Sequence, residues 1–260
     1  MVTTAIAGTG AASADPPAVD CPEVFAHGGY PSGANPWDRD RVRQPNNPTA
    51  LRDYKSQGAV GVEADLQLTR DGHKAVMWHN ETTLALTGNK MRITDLWWDT
   101  GADKLSSRTI EVGPYRGEHV HTLRQFLDAL YAEGMVPLIE IKPMAEQSLL
   151  NPDPAIRDGA WKEVLDPISE RIDRQEIMLY THDAALAGEL ASRAHAAGLD
   201  QVIAGGPQRP VWPDTVAWEE PAPSWQGNEA SWQAALDSHP RRIATSWVAD
   251  LSTWLDARCG

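Results

Sequence analysis

Residues Gly61–Leu68 have the sequence GVEADLQL, which leads directly into TRDG. Its apolar and polar residues alternate, and this pattern predicts a β-strand whose polar side chains share one face. Glu63 and Asp65 are two positions apart, so both carboxylates lie on that face. Asp71-Gly72 then predicts a tight turn, and residues 74–79 predict the next strand of the fold.

Strand and helix patterns alternate along the rest of the chain, which favours an α/β fold with parallel strands. A first strand is expected at 24–26, a helix at 123–133, a strand at 136–142 and a weak strand at 215–218. The full pattern gives about eight strands and up to about eight helices, the content of a single (β/α)8 TIM barrel. We expect one such domain over residues 21–260, because no linker divides it.

Charge and composition exclude several classes of partner. The chain of 260 residues has 23 Lys and Arg against 36 Asp and Glu, a formal net charge of −13. Nucleic acid is therefore not an expected partner, because a strongly acidic chain lacks the basic surface that phosphate neutralisation needs. No apolar run is long enough to predict a membrane-spanning helix. No obligate protein partner is indicated, and an anionic ligand would need a local cation.

The first residues are small and apolar, and Ala12-Ser13-Ala14 before Asp15 has the small-x-small form of a signal-peptidase site. The basic front half of an export signal is missing. We interpret residues 1–20 as the remnant of an export signal, with a disordered Ala/Gly leader as the alternative. The expected location is accordingly secreted or extracytoplasmic.

The two cysteines of the chain, Cys21 and Cys259, lie at opposite ends of the expected domain. In a closed barrel the start of the first strand and the end of the last helix meet at one rim, which favours a disulfide over two unpaired thiols. Closing so long a loop is worth roughly 5 kcal/mol in the chain-entropy model, less any strain in the folded state. Disulfides persist in oxidising compartments, so the pairing and the export signal support each other.

Acidic residues on two predicted strands indicate a metal site. Glu140 and Lys142 alternate with apolar residues in VPLIEIK, as Glu63 and Asp65 do in GVEADLQL. The carboxyl ends of barrel strands form the floor of the active site, and three carboxylates buried together there need a cation among them. Oxygen ligands without cysteine suit Mg²⁺ or Ca²⁺. The alternative is that Glu63 and Asp65 point outward and pair with surface lysines.

Four motifs follow one another in an order that is specific when they are taken together. They are His27-Gly28-Gly29, the run from 61 to 72, Trp78-His79-Asn80, and Ile139-Glu140-Ile141-Lys142-Pro143. This order resembles that of the glycerophosphodiester phosphodiesterase family, and the match is dense from His27 to Pro143. The resemblance implies a TIM barrel of the phosphatidylinositol phospholipase C-like type.

The resemblance also implies a metal-dependent hydrolysis of a phosphodiester. The substrate would be a small-molecule or lipid-derived diester, either a glycerophosphodiester or a related lysolipid or head-group diester. Water, or a neighbouring hydroxyl of the substrate, would attack the phosphorus. The implied ligands of one divalent cation, Mg²⁺ or Ca²⁺, are Glu63, Asp65 and Glu140. The implied acid/base pair is His27 and His79, and the implied phosphate-facing cation is Lys142.

Three positions depart from the pattern of that family. Gly28 stands where the family usually has Arg after the first His, which removes a phosphate-facing cation. Asn80 replaces an Asp that often follows the second His, which bears on how His79 is oriented. Asn47-Pro48-Thr49 stands where the family has Glu-Asn-Thr. These departures leave the preferred substrate open.

Other histidines offer further candidates. His182 ends a predicted strand at 177–181, where we expect it to contact the substrate; the alternative is a place beside a helix cap. His119-Val120-His121 resembles the His-x-His pair of barrel amidohydrolases, which would be a zinc site. The pair precedes a helix in mid-chain, however, and further zinc ligands are not evident.

Further alternatives remain open from the sequence. A phospholipase D-like or phosphatidylinositol phospholipase C-like enzyme would cut a lipid diester. Trp97-Trp98 would then suit transient contact with a lipid surface, although most tryptophans pack in cores. A secreted barrel that binds a polyol phosphate without turning it over is the non-enzymatic alternative, motivated by Gly28. The two retained histidines argue against it, because binding alone needs no proton transfer.

Overall fold

The computed structural model describes residues 21–27, 46–111, 113, 115–205, 209–211 and 229–259. The expected leader at 1–20, the weak strand at 215–218 and Gly28 lie outside these residues. The strands, in chain order, are β1 (Glu23–His27), β2 (Gly61–Leu68), β3 (Ala75–Met77), β4 (His121–Thr122), β5 (Val136–Ile141), β6 (Met178–Tyr180) and β7 (Arg242–Thr245). The helices are α1 (Pro48–Ser56), α2 (Leu123–Glu133), α3 (Glu146–Leu149), α4 (Pro154–Ser169), α5 (Ala184–Ala196), α6 (Glu229–Asp237) and α7 (Val248–Cys259).

Five strands form the parallel part of the sheet, in the order β7, β1, β2, β5 and β6. The register of these pairs brings polar residues into one row at the carboxyl ends of the strands. His27 lies beside Glu63, Asp65 lies beside Glu140, and Glu140 lies beside Tyr180. These polar residues lie in one row because the strands run in the same direction. The row forms the candidate site.

The molecule is an α/β protein, as the alternating pattern predicts, but its sheet is mixed because β3 and β4 are antiparallel to their neighbours. Among the described residues, Leu179 of β6 forms an isolated parallel bridge with Ile203. Ile243 of β7 forms another with Val211. No pairing joins these two bridges within the described part of the chain. The described residues therefore support the α/β class and leave an eightfold closure as an expectation. None of the described helices is long and apolar enough to cross a membrane.

The strand predicted at 74–79 is present as β3, but it is not one of the parallel strands that the count of about eight assumes. β3 pairs antiparallel with β2, with Leu66 opposite Met77, and β4 pairs antiparallel with β3. The chain reverses in a single turn at Arg70–Gly72, where Asp71 has φ 55° and Gly72 has φ 68°. A parallel neighbour needs a crossover of about a dozen residues or more, which this turn does not provide.

The helix predicted at 123–133 is confirmed with the same bounds. The Thr122 side chain caps α2 by accepting the backbone N–H of Gln125, and Gly134 ends the helix in the left-handed conformation with φ 66°. The buried face repeats at helical spacing and packs into the main core. Its members are Leu123, Phe126, Leu127 and Leu130.

A second, smaller cluster of buried residues lies on one face of the parallel strands, and Phe25 and Met178 belong to it. The first residue of β2 is Gly61. A larger residue would clash there, because its Cβ would lie 2.2 Å from the Phe25 ring. Arg242 is fully buried beneath this cluster and reaches Glu23 and Glu176 at 2.7 and 2.8 Å. This network ties together the amino ends of β1, β6 and β7, at the end of the strands opposite the polar row.

The predicted disulfide is confirmed, because Cys21 and Cys259 are bonded with a Cα–Cα distance of 5.5 Å. We expect the double variant Cys21→Ser/Cys259→Ser to lose about 2–4 kcal/mol of unfolding free energy, because the unfolded chain regains the entropy of an open loop. Urea unfolding of the variant measures this loss. Wild-type protein in reductant serves as the control and should unfold at the same midpoint; equal midpoints for the oxidised wild type and the variant would contradict the prediction.

Candidate active site

Three buried carboxylates converge at the carboxyl ends of β2 and β5. Glu63 and Asp65 come from β2 and Glu140 from β5, and one oxygen of each lies within 4.8 Å of the others. Their exposed fractions are 1%, 1% and 6%. Because Glu63 and Asp65 are buried, the alternative in which they are solvated surface carboxylates is excluded. We call Glu63, Asp65 and Glu140 the acidic triad.

Lys142 is the cation that the fold itself places against the acidic triad. Its Nζ lies 3.3 Å from Asp65 Oδ1 and 3.1 Å from Glu140 Oε2. Burial raises the pKa of Glu140; Lys142 opposes this rise, and Asp65 adds to it. Burial also acts to lower the pKa of Lys142, but the surrounding carboxylates outweigh it, so its net pKa is raised and the ammonium stays charged.

The triad and Lys142 together fit a divalent cation. One ammonium against three carboxylates leaves two negative charges in excess when all groups are ionised, and burial makes this excess costly. The donor set consists of oxygens only, which Mg²⁺ and Ca²⁺ prefer. The residues present therefore suit an ion of this class.

Tyr180 belongs to the site, although the sequence alone did not single it out. Its hydroxyl donates to Glu63 Oε1 at 2.9 Å. Burial, followed by the charge of Glu63, raises the pKa of Tyr180 above its usual value, so the phenol remains a donor. Tyr180 ends β6 two positions before His182, and this spacing is the signal that would have placed both side chains on one face.

His27 lies at the end of β1, next to the acidic triad. Its Nε2 is 3.9 Å from Glu63 Oε2, and its Nδ1 is 3.3 Å from the Ser246 hydroxyl. The side chain is 24% exposed, so the imidazole is open to a ligand from one side. Ser246 follows β7 directly, so residues from both ends of the chain orient this ring.

His79 lies on a turn that β2 holds in place. The Trp78 N–H donates to the Asp65 carbonyl at 2.9 Å, and the Gln67 side chain donates to the carbonyls of Trp78 and Asn80 at 2.7 Å each. His79 Nδ1 lies 3.2 Å from Asn80 Oδ1. An amide oxygen only accepts, so Nδ1 is the donor in this contact, which orients the ring.

Two further residues border the site. His182 is exposed, and its ring meets the Tyr180 ring edge-on at 5.4 Å between the ring centroids. His182 therefore lies at the rim of the site, and its contact with the substrate stays a prediction. Asn46 is buried, and its Oδ1 accepts the Asp65 N–H at 2.8 Å, while Asn47 caps α1. Sequence reasoning missed Asn46, because it lies outside the motifs that carry chemistry.

The family of the chain follows from a comparison with family models. The model of the glycerophosphoryl diester phosphodiesterase family matches residues 44–249, more than three quarters of the chain. The chain belongs to this family. It is therefore a phosphoric diester hydrolase, and the family resemblance predicted from the four motifs is confirmed. The fold of a glycerophosphoryl diester phosphodiesterase is TIM-barrel-like, in keeping with the parallel strands described above.

Solved structures show the same fold. The first comes from Silicibacter pomeroyi DSS-3, is assigned to the glycerophosphoryl diester phosphodiesterases, and is 16% identical with a TM-score of 0.62, over 93% of this chain and 95% of that one. A phosphodiesterase from Oleispira antarctica, in complex with the product sn-glycerol-3-phosphate, is 16% identical with a TM-score of 0.58, over 91% and 97%. A glycerophosphodiester phosphodiesterase from Agrobacterium tumefaciens str. C58 is 14% identical with a TM-score of 0.55, over 89% and 99%. A search of curated protein sequences finds no match.

Family membership also decides against the amidohydrolase alternative. His119 Nδ1 lies 3.2 Å from the Arg108 carbonyl, and burial lowers the pKa of His121, which keeps that imidazole neutral. Neither histidine joins a cluster of metal-ligating side chains among the described residues. The pair lies in the segment of chain between β3 and α2, where His121 begins β4.

Proposed function

We propose that this glycerophosphoryl diester phosphodiesterase depends on one divalent cation, Mg²⁺ or Ca²⁺, and uses His27 and His79 for proton transfer. The observation that carries the proposal is the buried acidic triad, with ligand oxygens within 4.8 Å of one another. When bound, such a cation supplies Lewis-acid charge and a template for the phosphate oxygens. The family itself hydrolyses glycerophosphodiesters.

The side chains around the triad orient its oxygens for this task. Tyr180 holds Glu63 Oε1 by a hydrogen bond, and Lys142 holds Asp65 and Glu140 by ion pairs. The Asp65 backbone is itself fixed by Asn46. Ligands held in this way lose little freedom when an ion binds, which favours binding.

The two histidines supply the proton transfers. In hydrolysis a P–O bond forms to the attacking oxygen and the P–O bond to the leaving alcohol breaks. One imidazole removes the proton of the attacking group at Nε2, and the other delivers a proton from Nε2 to the leaving alkoxide. Proton transfer of this kind contributes about 10²–10⁴-fold to a rate.

The preferred substrate is proposed to be a glycerophosphodiester. The Oleispira antarctica phosphodiesterase holds sn-glycerol-3-phosphate, which supports a glycerol phosphate as the product here. A lysolipid or other lipid diester, cut in a phospholipase D-like or phospholipase C-like manner, is the second candidate. Trp97 and Trp98 favour it because both are half-exposed, and the Trp97 ring is flanked by His73 and Arg70. Such a cluster suits transient contact with a lipid surface.

Phosphorus NMR of the products tests this proposal. We expect the protein with Mg²⁺ or Ca²⁺ to convert glycerophosphocholine to glycerol phosphate, to stop with EDTA, and to resume when the ion is restored. A panel that includes lysophosphatidylcholine and sphingomyelin distinguishes the lipid candidate, and a cyclic phosphate signal would identify attack by a substrate hydroxyl. Full turnover in EDTA, after the ion has been removed by dialysis, would contradict the metal requirement.

Export is a further proposal, supported by the Cys21–Cys259 disulfide. The bond joins the segment before β1 to the last helix, so an oxidising compartment would stabilise the whole domain. Recovery of the protein from the culture medium with this bond formed would check the proposal. Recovery only from the cytoplasm, with both thiols reduced, would contradict it.

A further inference from the structure

Arg209 lies near the site but forms no ion pair with the acidic triad. Lys142 is bound to Asp65 and Glu140, so its charge is already balanced. Arg209 is half-buried and has no ion-pair partner among the described residues. Within the described part of the chain, this half-buried guanidinium is therefore available to an anion.

Arg209 reaches the site through Tyr180. Its Cζ lies 4.9 Å from the centroid of the Tyr180 ring. The hydroxyl of the same ring donates to Glu63 Oε1 at 2.9 Å, so one phenol separates the guanidinium from the triad. The ring face holds the guanidinium by a cation–π contact, which stabilises its position while no anion is bound.

The backbone that carries Arg209 is fixed by the sheet. The Val211 N–H donates to the Arg242 carbonyl, and the Ala244 N–H donates to the Val211 carbonyl, both at 2.9 Å. Pro210 restricts the backbone between Arg209 and this pairing. The guanidinium is thus presented by a segment registered against β7, the strand that precedes Ser246 and its contact with His27.

We propose that Arg209 binds the phosphate of the substrate. With a divalent cation bound, the acidic triad and Lys142 balance, and the negative charge of a phosphodiester still needs a partner. Gly28 supplies none after His27. A guanidinium matches two phosphate oxygens with two parallel N–H donors, which makes Arg209 suited to this role. The inference rests on the proposed function, since it concerns the same substrate.

The variant Arg209→Ala tests this role through phosphate affinity and turnover together. In the presence of Mg²⁺ we expect the dissociation constant of sn-glycerol 3-phosphate, measured by calorimetry, to rise about tenfold or more, because a charge-assisted contact is lost. The KM for glycerophosphocholine should rise by a similar factor. The thermal shift produced by Mg²⁺ alone should match that of wild type, because the acidic triad is untouched.

A matched control exists elsewhere in the chain. Arg174 lies over the ring of Tyr131 at 5.0 Å, the same kind of contact at nearly the same distance, and Tyr131 is exposed. Arg174→Ala should therefore change neither the phosphate affinity nor the KM. Arg209→Lys retains the charge without the planar fork, so we expect it to recover part of the lost affinity.

The outcomes separate this inference from the proposed function. Unchanged phosphate affinity and KM in Arg209→Ala would overturn the role of Arg209 while leaving the hydrolase intact. If wild type hydrolyses no diester, the proposed function fails, and the calorimetric comparison still decides whether Arg209 binds phosphate. Should Arg209→Ala not fold, Arg209→Gln keeps most of the stem, and the same tenfold weakening is expected of it.

Discussion

Replacing Glu140 with glutamine is expected to lower kcat/KM for glycerophosphocholine by at least about a thousandfold, since a bound ion supplies several kcal/mol of charge stabilisation at the phosphate. Glu140 is the member of the acidic triad that comes from β5, and it is buried beside Lys142. Glutamine keeps the size of the side chain but removes the charge that a divalent ion needs. The loss should therefore arise from ion binding rather than from unfolding.

Thermal unfolding separates these two causes. Wild-type protein should be stabilised by Mg²⁺ or Ca²⁺, by about 2.7 kcal/mol at an ion concentration a hundred times the dissociation constant. Glu140→Gln should lose this response. In EDTA the variant should be at least as stable as wild type, because one of three crowded carboxylates has become neutral.

Glu163→Gln is the matched control for Glu140→Gln. Glu163 also pairs with a lysine, Lys74, at 3.0 Å, but lies on α4 away from the acidic triad. This variant should keep both the activity and the response to the ion. A Glu140→Gln protein that is still stabilised by the ion to the wild-type extent would show that the triad is not the ion site.

The acidic triad could be predicted from the sequence because two local rules are enough for it. Alternation in Gly61–Leu68 and Val136–Ile141 places Glu63, Asp65 and Glu140 on the inner face of their strands. The rule that parallel strands end at one rim then brings them together. Neither rule requires knowledge of how the chain packs at long range.

Other features depend on information that the sequence pattern does not contain. The direction of the strand at 74–79 is an exception, because the tight turn predicted at Asp71-Gly72 is too short for the crossover that a parallel strand needs. Tyr180 and Arg209 enter the site only through the pairing of β6 with β5 and of Val211 with β7. Asn46 was missed for the same reason, since its partner, the Asp65 backbone, is 19 positions away.

His27→Ala is expected to lower kcat by about 10²–10⁴-fold, the usual contribution of a positioned acid or base. His27 Nε2 lies 3.9 Å from the acidic triad, and Ser246 orients the ring, so removal of the ring takes away a proton-transfer group but no triad oxygen. The thermal response to Mg²⁺ should therefore survive, in contrast to Glu140→Gln. His195→Ala, which removes an exposed imidazole paired with Asp200, is the control and should leave kcat unchanged.

The choice of leaving group assigns the two histidines. A 4-nitrophenolate leaves without a proton, whereas the alkoxide of choline or glycerol needs one, so loss of the general acid matters less for bis(4-nitrophenyl) phosphate than for glycerophosphocholine. His27→Ala and His79→Ala should consequently differ in the ratio of their effects on the two substrates. The variant whose loss is larger on glycerophosphocholine than on bis(4-nitrophenyl) phosphate lacks the acid, and the variant with similar losses on both substrates lacks the base. If both variants retain wild-type kcat on both substrates, proton transfer by this pair is excluded, even where the ion requirement stands.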